Sequence, residues 1–204
     1  MEKLRENAVA CGVAARALRG ERASGDQHLI QPSRQGLLIA VVDGLGHGSE
    51  AAEAARTAVI TLRQHAGESV LSLVKRCQAK LVGTRGVAVS IASFNLVDST
   101  MTWLGVGNVE GILVRSKSRT PDKEFLLLGR GVVGGQLPNL QAFVVPVVSG
   151  DTLTFATDGV TSDFHDEINT CEPPQKIADR VLSGHGKDSD DALVLVARFL
   201  GNSE

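Results

Sequence analysis

The sequence predicts an α+β domain in which antiparallel sheets carry helices on their faces. Two helical segments stand close together in the first half of the chain, and a long series of short strand segments follows them. Strands and helices therefore do not alternate as they would in a parallel βαβ sheet. No linker-like segment divides the 204 residues, so we expect a single domain over residues 1–204.

The first part of the chain predicts one clear strand and two helices. Residues 4–18 fit a strand or a helix equally well, and residues 24–27 are typical of a turn. The continuous apolar run 37–42 predicts a strand buried on both faces. Two helices follow, the first with Ser49 as its N-cap, and both are marked by small or apolar residues at helical spacing: Ala51, Ala55, Ala58 and Leu62, then Val70, Val74, Cys77 and Leu81.

The second part of the chain predicts mainly strands. Apolar alternation begins at residues 87–91, and glycine, proline and aspartate separate the segments that follow. A short helix is predicted at 174–183, behind two prolines. The further strand segments are 101–107, 109–115, 125–128, 142–148, 153–156 and 192–199.

Composition excludes several classes of protein. Hydrophobic residues make up 43% and charged residues 22% of the chain, which is typical of a globular protein. Aromatic residues are only 3%, so the chain lacks the stacking faces of a single-stranded nucleic-acid platform. The net charge of -2 leaves no basic excess to bind a phosphate backbone. We therefore expect no nucleic-acid partner.

The sequence also predicts a protein of a reducing compartment. Cys11, Cys77 and Cys171 lie far apart without disulfide-framework or metal-ligand spacing, which favours reduced thiols. The N-terminal residues 1–6 carry charges of both signs and no apolar signal core. No apolar run approaches the roughly 20 residues that a membrane helix needs. We expect a soluble, cytoplasmic chain with no membrane partner.

Acidic residues stand at the ends of several apolar runs. They are Asp26, Asp43, Asp158 and the pair Asp190-Asp191. Taken singly, each is typical of a turn, although Asp43-Gly44 leads into a helix rather than a second strand. Carboxylates at strand ends can converge on one edge of a layered core, where Mg²⁺ or Mn²⁺ would relieve their repulsion. Taken together, they predict a metal site, with the Gly44 carbonyl as a further ligand.

The glycine-rich loop 44–48 allows a second interpretation. It follows a strand and opens a helix, as a dinucleotide-binding loop does, but its spacing is G-x-G-x-G rather than G-x-G-x-x-G. His47 in this loop could carry a proton or contact phosphate, or it could be an exposed loop residue. Arg85 and Arg130 lie beside glycines and could meet a phosphate or remain solvated.

These segments resemble a known family. Residues 41–48, Val-Val-Asp-Gly-Leu-Gly-His-Gly, with Ala51-Ala52 behind them, look like the signature of the metal-dependent PPM phosphatases, and more narrowly of their SpoIIE/RsbU/RsbX branch. The chain is most similar to the stand-alone RsbX type, without a sensor module. The resemblance extends to further segments in the same order: 25–26, 85–90, 106–108, 157–159 and 190–191.

The resemblance implies a four-layer α-β-β-α sandwich of two antiparallel sheets flanked by helices. It also implies two Mn²⁺ or Mg²⁺ ions, with Asp43 as the bridging ligand and the Gly44 carbonyl on one ion. Asp158 and Asp190 would hold the other ion, and Asp26 would act directly or through water. Asp43 and Asp158 are the implied catalytic residues. Asp191 stays an alternative to Asp190, because the family often continues this motif as Asp-Asp-x-Thr and here Ala192-Leu193 follow.

By the same resemblance, the chain is a protein serine/threonine phosphatase. Metal-bound hydroxide would attack phosphoserine or phosphothreonine on STAS-domain proteins of a stressosome-like complex. Larger family members grip the phosphate with an N-terminal arginine, and neither Arg5, Arg16 nor Arg19 matches it. The alternative function is a non-catalytic module with the same fold that docks on a signalling assembly.

Overall fold

The computed structural model describes residues 8–21, 23–116, 121–137 and 139–201. In chain order the elements are β1 (Val9–Arg16), β2 (Asp26–Pro32), β3 (Gly36–Gly44), α1 (Ser49–Gln64), α2 (Val70–Leu81), β4 (Val87–Asn95), β5 (Thr100–Val106), β6 (Glu110–Val114), β7 (Lys123–Phe125), β8 (Leu128–Gly129), β9 (Phe143–Pro146), β10 (Thr152–Ala156), a 3-10 helix (Ser162–Glu167), α3 (Pro174–His185) and β11 (Ala192–Phe199).

The strands form two sheets. The first has the order β1-β11-β10-β6-β7, and the second has the order β2-β3-β4-β5-β8, with β9 also paired to β5. Neighbouring strands are antiparallel except for β5 and β8, which run parallel over a two-residue contact. The sequential hairpins β2–β3 and β4–β5 supply most of the second sheet, which explains why the sequence shows strands in series rather than alternating with helices.

The two sheets pack face to face, and helices cover both outer faces. In β3, Leu37, Ile39 and Val41 lie in the core between the sheets, whereas Leu38, Ala40 and Val42 lie against the helical layer. Helices α1 and α2 form that layer, and α3 packs on the outer face of the other sheet. The predicted four-layer α-β-β-α sandwich and the doubly buried strand at 37–42 are thus confirmed.

Small residues let the first helix approach its sheet closely. The buried positions of α1 include Ala51, Ala54, Ala55 and Ala58, none of them more than 1% exposed. Helix α2 begins at the N-cap Ser69, whose side chain accepts a hydrogen bond from the backbone N–H of Ser72. Both helices fall where the spacing of apolar residues predicts them, but the predicted N-cap Ser49 is wrong, because Ser49 is the first helical residue and Gly48 is the N-cap, without a side-chain hydrogen bond.

Three local predictions are corrected by the structure. The turn predicted at 24–27 is wrong in its second half, because Asp26 begins β2, and the strand Asp26–Pro32 was not predicted at all. Polar Gln27, His28 and Gln31 interrupt the apolar pattern there, since β2 is an edge strand with one exposed face. The strand predicted at 125–128 is divided between β7 and β8, which belong to different sheets.

The N-terminal ambiguity is resolved in favour of a strand, β1, and residues 4–7 lie outside the described part of the chain. Cys11, Cys77 and Cys171 are free thiols, as predicted. Across the described residues, no helix combines the length and the apolar character needed to cross a membrane.

Close packing of α3 on β1 yields a stability test. A Cβ on Gly12 would lie 2.3 Å from the backbone nitrogen of Gln175, so Gly12→Ala forces the helix and the strand apart. Overpacking of this kind costs about 1–3 kcal/mol, and we expect urea unfolding to shift by that amount. The matched control is Gly67→Ala, since a Cβ there meets nothing within 4 Å. Equal stability of the two variants would contradict this packing.

Candidate metal centre

The predicted acidic residues lie at one end of the sandwich. Asp43 is the next-to-last residue of β3, and Asp26 at the start of β2 is its cross-strand partner. Asp158 follows β10, and the pair Asp190-Asp191 directly precedes β11. The two sheets therefore contribute their strand ends to a common cluster of five carboxylates, called here the acidic cluster.

Two polar side chains connect the carboxylates across the sheets. The Thr157 hydroxyl, at the end of β10, donates to Oδ2 of Asp26 over 2.7 Å. The Asn108 amide, between β5 and β6, donates to Oδ2 of Asp158 over 2.6 Å. Asn108 also hydrogen-bonds the carboxyl of Asp43, where it lowers the pKa. These contacts show that Asp26, Asp43 and Asp158 meet in space, as the sequence predicts.

Burial and repulsion by neighbouring carboxylates raise the pKa values of Asp26, Asp43 and Asp190. Burial and the charge of Asp158 raise the pKa of Asp43 to about 7, although the Asn108 hydrogen bond acts in the opposite direction. Burial and the charge of Asp43 raise the pKa of Asp26 to about 8, against the hydrogen bond from Thr157. The pKa of Asp190 is also raised, first by burial and then by Asp158 and Asp191. The cluster therefore resists full ionisation in the absence of a cation.

Basic side chains do not neutralise the cluster. Among the described residues, no lysine, arginine or histidine forms an ion pair with any of the five carboxylates. Lys187 is nearby, but its ammonium donates to the backbone carbonyl of Asp158 over 2.6 Å rather than to the carboxylate. The Lys187 charge only partly offsets the raised pKa of Asp190. The cluster thus lacks the positive charge that a divalent cation would bring.

The donor set fits a hard cation, although its ligands are not yet arranged around one. Within the described ranges, no three His, Cys, Asp or Glu side chains form a ready-made ligand group. Several carboxylate oxygens instead accept hydrogen bonds, as Asp158 does from Asn108 and Asp26 does from Thr157. Because the donors are carboxylate oxygens, they suit Mg²⁺ or Mn²⁺ better than a soft metal. A bound cation would compete with these hydrogen bonds.

The neighbours Asp190 and Asp191 differ in their surroundings. Asp191 is 2% exposed, and its two carboxylate oxygens accept the backbone N–H groups of Leu18 and Gly25, both over 2.7 Å. Asp190 is half-buried, and its Oδ1 accepts one bond, from the N–H of Asp191 over 2.9 Å. Asp191 therefore fixes the segment between β1 and β2, whereas Asp190 keeps an oxygen available.

Two glycines allow the backbone to pack tightly at the cluster. A Cβ on Gly44 would lie 2.1 Å from the carbonyl oxygen of Ala51, and a Cβ on Gly159 would lie 1.8 Å from that of Asp191. Both positions follow a predicted site aspartate directly. The glycines of the two Asp-Gly pairs are thus explained by backbone contacts rather than by hairpin turns.

The glycine-rich loop 44–48 does not belong to a dinucleotide-binding unit. The strand that follows its helices, β4, runs antiparallel to β3, whereas a dinucleotide-binding fold requires a parallel return strand. His47 is exposed, and its Nδ1 lies 3.0 Å from Oε1 of Glu21. Arg130 is exposed and directly follows β8. Its neighbour Gly129 accepts a hydrogen bond from the N–H of Gly107 over 2.9 Å, which places this loop next to Asn108.

Two polar residues of the site, Asn108 and Thr157, receive no role from the sequence alone. Asn108 and Thr157 were identified only as part of family-like segments, without a role, yet both contact the predicted ligands. Their signal is positional, because each stands immediately beyond a strand at the same end of the sheets as the aspartates. Neutral side chains in loops are hard to distinguish from ordinary turn residues before the strands are placed.

Comparison with solved structures gives the fold. A chain from work on the bacterial stressosome, described as a modular system adapted to control secondary messenger signalling, superposes with a TM-score of 0.84 at 24% identity, over 93% of this chain and 99% of that one. RsbX in complex with magnesium superposes with a TM-score of 0.83 at 23% identity, over 93% and 94% of the two chains. At this identity, each shows a shared fold. Both superpositions agree with the four-layer sandwich of this chain.

Sequence comparison identifies the family of the chain. Residues 33–200 match the family model of stage II sporulation protein E, SpoIIE. A relative from Bacillus subtilis (strain 168), phosphoserine phosphatase RsbX, is 28% identical over 181 residues, which is 88% of this chain and 89% of the relative. Because the family model covers most of the chain, the chain belongs to the SpoIIE family.

The raised pKa values predict how stability depends on pH without metal. An unfolded aspartate has a pKa of about 4, whereas the folded values are about 8 for Asp26 and about 7 for Asp43. The folded state therefore binds more protons than the unfolded state between these limits, and stability falls as pH rises from about 4 to about 8. We expect the melting temperature of chelator-treated protein to decrease over this range.

Two variants test the assignment of that pH dependence. Asp26→Asn removes one ionisation and should make the decrease clearly shallower, since the amide oxygen can still accept from Thr157. Asp98→Asn, at an exposed carboxylate in the turn between β4 and β5, should follow the parent protein. The decisive window is pH 5 to 8, which lies within about one unit of those limits. A melting temperature that stays flat or rises there would contradict a cluster of buried carboxylates that repel one another.

Proposed function

We propose that this phosphatase removes phosphate from phosphoserine or phosphothreonine on STAS-domain proteins of a stressosome-type complex. It would act in the cytoplasm as a single domain and use two Mn²⁺ or Mg²⁺ ions at the acidic cluster. The observation that carries the proposal is the convergence of five carboxylates with no basic side chain, among the described residues, in an ion pair with them. Such a cluster is stable when cations supply the missing charge.

The surroundings of the carboxylates support a set of ligand roles. Asp43 is central, because its pKa responds to the charges of Asp158, Asp190 and Asp191, and this supports it as the bridging ligand. The Gly44 carbonyl would help to hold one ion, and Asp158 with Asp190 would hold the other. Asp26, which is 5% exposed and bonded to Thr157, acts directly or through water. Ions bound there supply an activated water for in-line attack on phosphorus and offset the charge of the leaving oxygen.

The protein's own residues prepare the site. Asn108 contacts the carboxyls of both Asp43 and Asp158, so it fixes their relative orientation. Asp191 holds the backbone of Leu18 and Gly25, which places the start of β2 beside the cluster. Lys187 anchors the Asp158 backbone. The backbone contacts of Asp191 and Lys187 would hold the segments that carry the ligands in place, whereas the Asn108 hydrogen bond to Asp158 would be exchanged for a metal contact when cations bind.

The substrate class rests on the relatives. The Bacillus subtilis relative is a phosphoserine phosphatase, and one matched fold comes from work on the bacterial stressosome. The chain spans 89% of that relative, so a similar reaction on a similar protein substrate is the simplest proposal. The STAS-domain assignment comes from the family resemblance of the sequence segments.

Phosphate release from purified phosphorylated STAS proteins tests this proposal. We expect release with Mn²⁺ or Mg²⁺ and none after addition of a chelator. Asp158→Asn should abolish release by removing a ligand charge, and its unfolding midpoint should stay near that of the parent because Asp158 is exposed. Near-normal turnover of Asp158→Asn would refute the ligand assignment. If no phosphorylated STAS protein loses phosphate while other phosphoproteins do, the substrate proposal is wrong.

The adjacent aspartates give a second, matched prediction. Asp190→Asn should weaken Mn²⁺ binding and reduce activity at least tenfold while leaving the unfolding midpoint nearly unchanged. Asp191→Asn replaces one oxygen by a donor that cannot accept from Leu18 or Gly25, and it should cost about 1–3 kcal/mol of stability. Calorimetric Mn²⁺ titration and urea unfolding of both variants separate the two roles. The reverse outcome would make Asp191 the ligand.

A further inference from the structure

The charge of the acidic cluster leaves the substrate phosphate in need of a further cation. Five carboxylates exceed the four positive charges of two divalent ions, whereas a phosphate monoester is close to a dianion at neutral pH. Phosphate binding in proteins commonly relies on an arginine, whose planar guanidinium donates two parallel hydrogen bonds. Among the described residues, Arg85 in the loop between α2 and β4 is the arginine best placed for this role.

Arg85 lies directly against the glycine-rich loop that follows Asp43. Its Nη1 stands 2.4 Å from where a Cβ on Gly46 would lie, so the guanidinium occupies the space that the glycine leaves open. The next residue, Gly86, accepts a backbone hydrogen bond from the N–H of Leu45 over 3.1 Å. These two contacts hold Arg85 against the loop that carries Gly44.

An ion pair through Nε orients Arg85 and leaves the two Nη groups of its guanidinium available. Its Nε donates to Oε2 of Glu50 over 2.7 Å, and the two side chains are 47% and 72% exposed. No further hydrogen bond to the guanidinium is formed by the residues that the structure describes. The side chain also borders an open cleft of about 550 Å³ between the start of α1 and residues 83–85, through which a ligand can reach it.

Other cations near the cluster are less suited to this role. Arg16 donates to the carbonyl of Lys187 over 2.7 Å and pairs with Asp188, and Lys187 itself is bound to the Asp158 carbonyl. Arg19 and Arg130 are exposed, and within the described ranges neither has a hydrogen bond or an ion pair that fixes its direction. Arg85 combines a fixed position beside the Asp43–Gly44 loop with free donors.

We infer that Arg85 binds the phosphoryl oxygens of the substrate. The inference rests on the proposed function, because it assigns the phosphate of that reaction to a second anchor besides the metal ions. The pair with Glu50 holds the guanidinium ready, and the incoming phosphate takes the free Nη donors. A phosphate monoester, or inorganic phosphate as its product, is the ligand class.

Direct phosphate binding tests this role apart from turnover. Inorganic phosphate is titrated by calorimetry into Mn²⁺-loaded protein at mildly alkaline pH, where it is a mixture of the monoanion and the dianion. Arg85→Gln should weaken phosphate binding by roughly tenfold or more, which is typical of losing a charge-assisted hydrogen-bonded pair. Arg85→Lys should fall between, since it keeps the charge and loses the fork. Mn²⁺ affinity should be unchanged in both variants.

Two controls show whether the effect belongs to Arg85. Arg76 has a matching environment, with its Nε 2.7 Å from Oε2 of Glu68 and its side chain 47% exposed, and Arg76→Gln should bind phosphate like the parent. Glu50→Gln keeps a side-chain oxygen that can accept from the Arg85 Nε and removes only the negative charge, so the guanidinium stays oriented and phosphate binding should be equal or tighter. Weaker binding in Glu50→Gln, matching that of Arg85→Gln, would show that the pair only shapes the loop and would overturn the inference.

The remaining outcomes also decide the case. Unchanged phosphate affinity in Arg85→Gln, or no phosphate binding by the loaded parent protein, overturns the role of Arg85. Loss of Mn²⁺ binding in Arg85→Gln also overturns it, because Arg85 would then support the metal ligands instead. If the parent binds phosphate through Arg85 but releases none from phosphoproteins, the proposed function fails while the phosphate site stands.

Discussion

Electrostatic repulsion among buried carboxylates is the constraint on which this structure depends. Asp26 and Asp43 face each other across two strands, and Asp158 reaches them from the other sheet. Burial without a countercharge is unfavourable for an ionised carboxylate, and the raised pKa values of Asp26 and Asp43 express this penalty. The fold holds them together through backbone ladders and hydrogen bonds, and bound cations would supply the charge that offsets their repulsion.

The sandwich supplies this arrangement by ending strands of both sheets at the same edge. Its core between the sheets is mostly apolar and includes the stacked pair Phe94 and Phe199, with ring centroids 6.3 Å apart. The buried Ser90 hydroxyl on the same face of β4 donates to the Val109 carbonyl over 2.6 Å. Polar contacts are instead concentrated at the strand ends, where Thr157 connects the two sheets through Asp26. The sheets thus position the carboxylates. Arg85 lies at the same edge, because its guanidinium packs against Gly46 in the loop 44–48.

Much of this could be predicted from the sequence, because periodicity and order carry the information. The apolar run 37–42 predicts its double burial, and the aspartates at strand ends predict a common cluster. Strand β2 was missed because an edge strand with polar outer residues lacks an apolar pattern. The different roles of Asp190 and Asp191 could not be separated, since they depend on backbone donors about 170 residues away in the chain, at Leu18 and Gly25.

The most direct measurement of the central claim is anomalous diffraction from crystals grown with Mn²⁺. The account predicts two peaks at the acidic cluster, both in contact with Asp43, with the Gly44 carbonyl on one ion and Asp158 with Asp190 on the other. Asp191 should keep its backbone partners and contact neither ion. A cluster that stays without a peak at saturating Mn²⁺, or cations that bind only elsewhere on the surface, would contradict it.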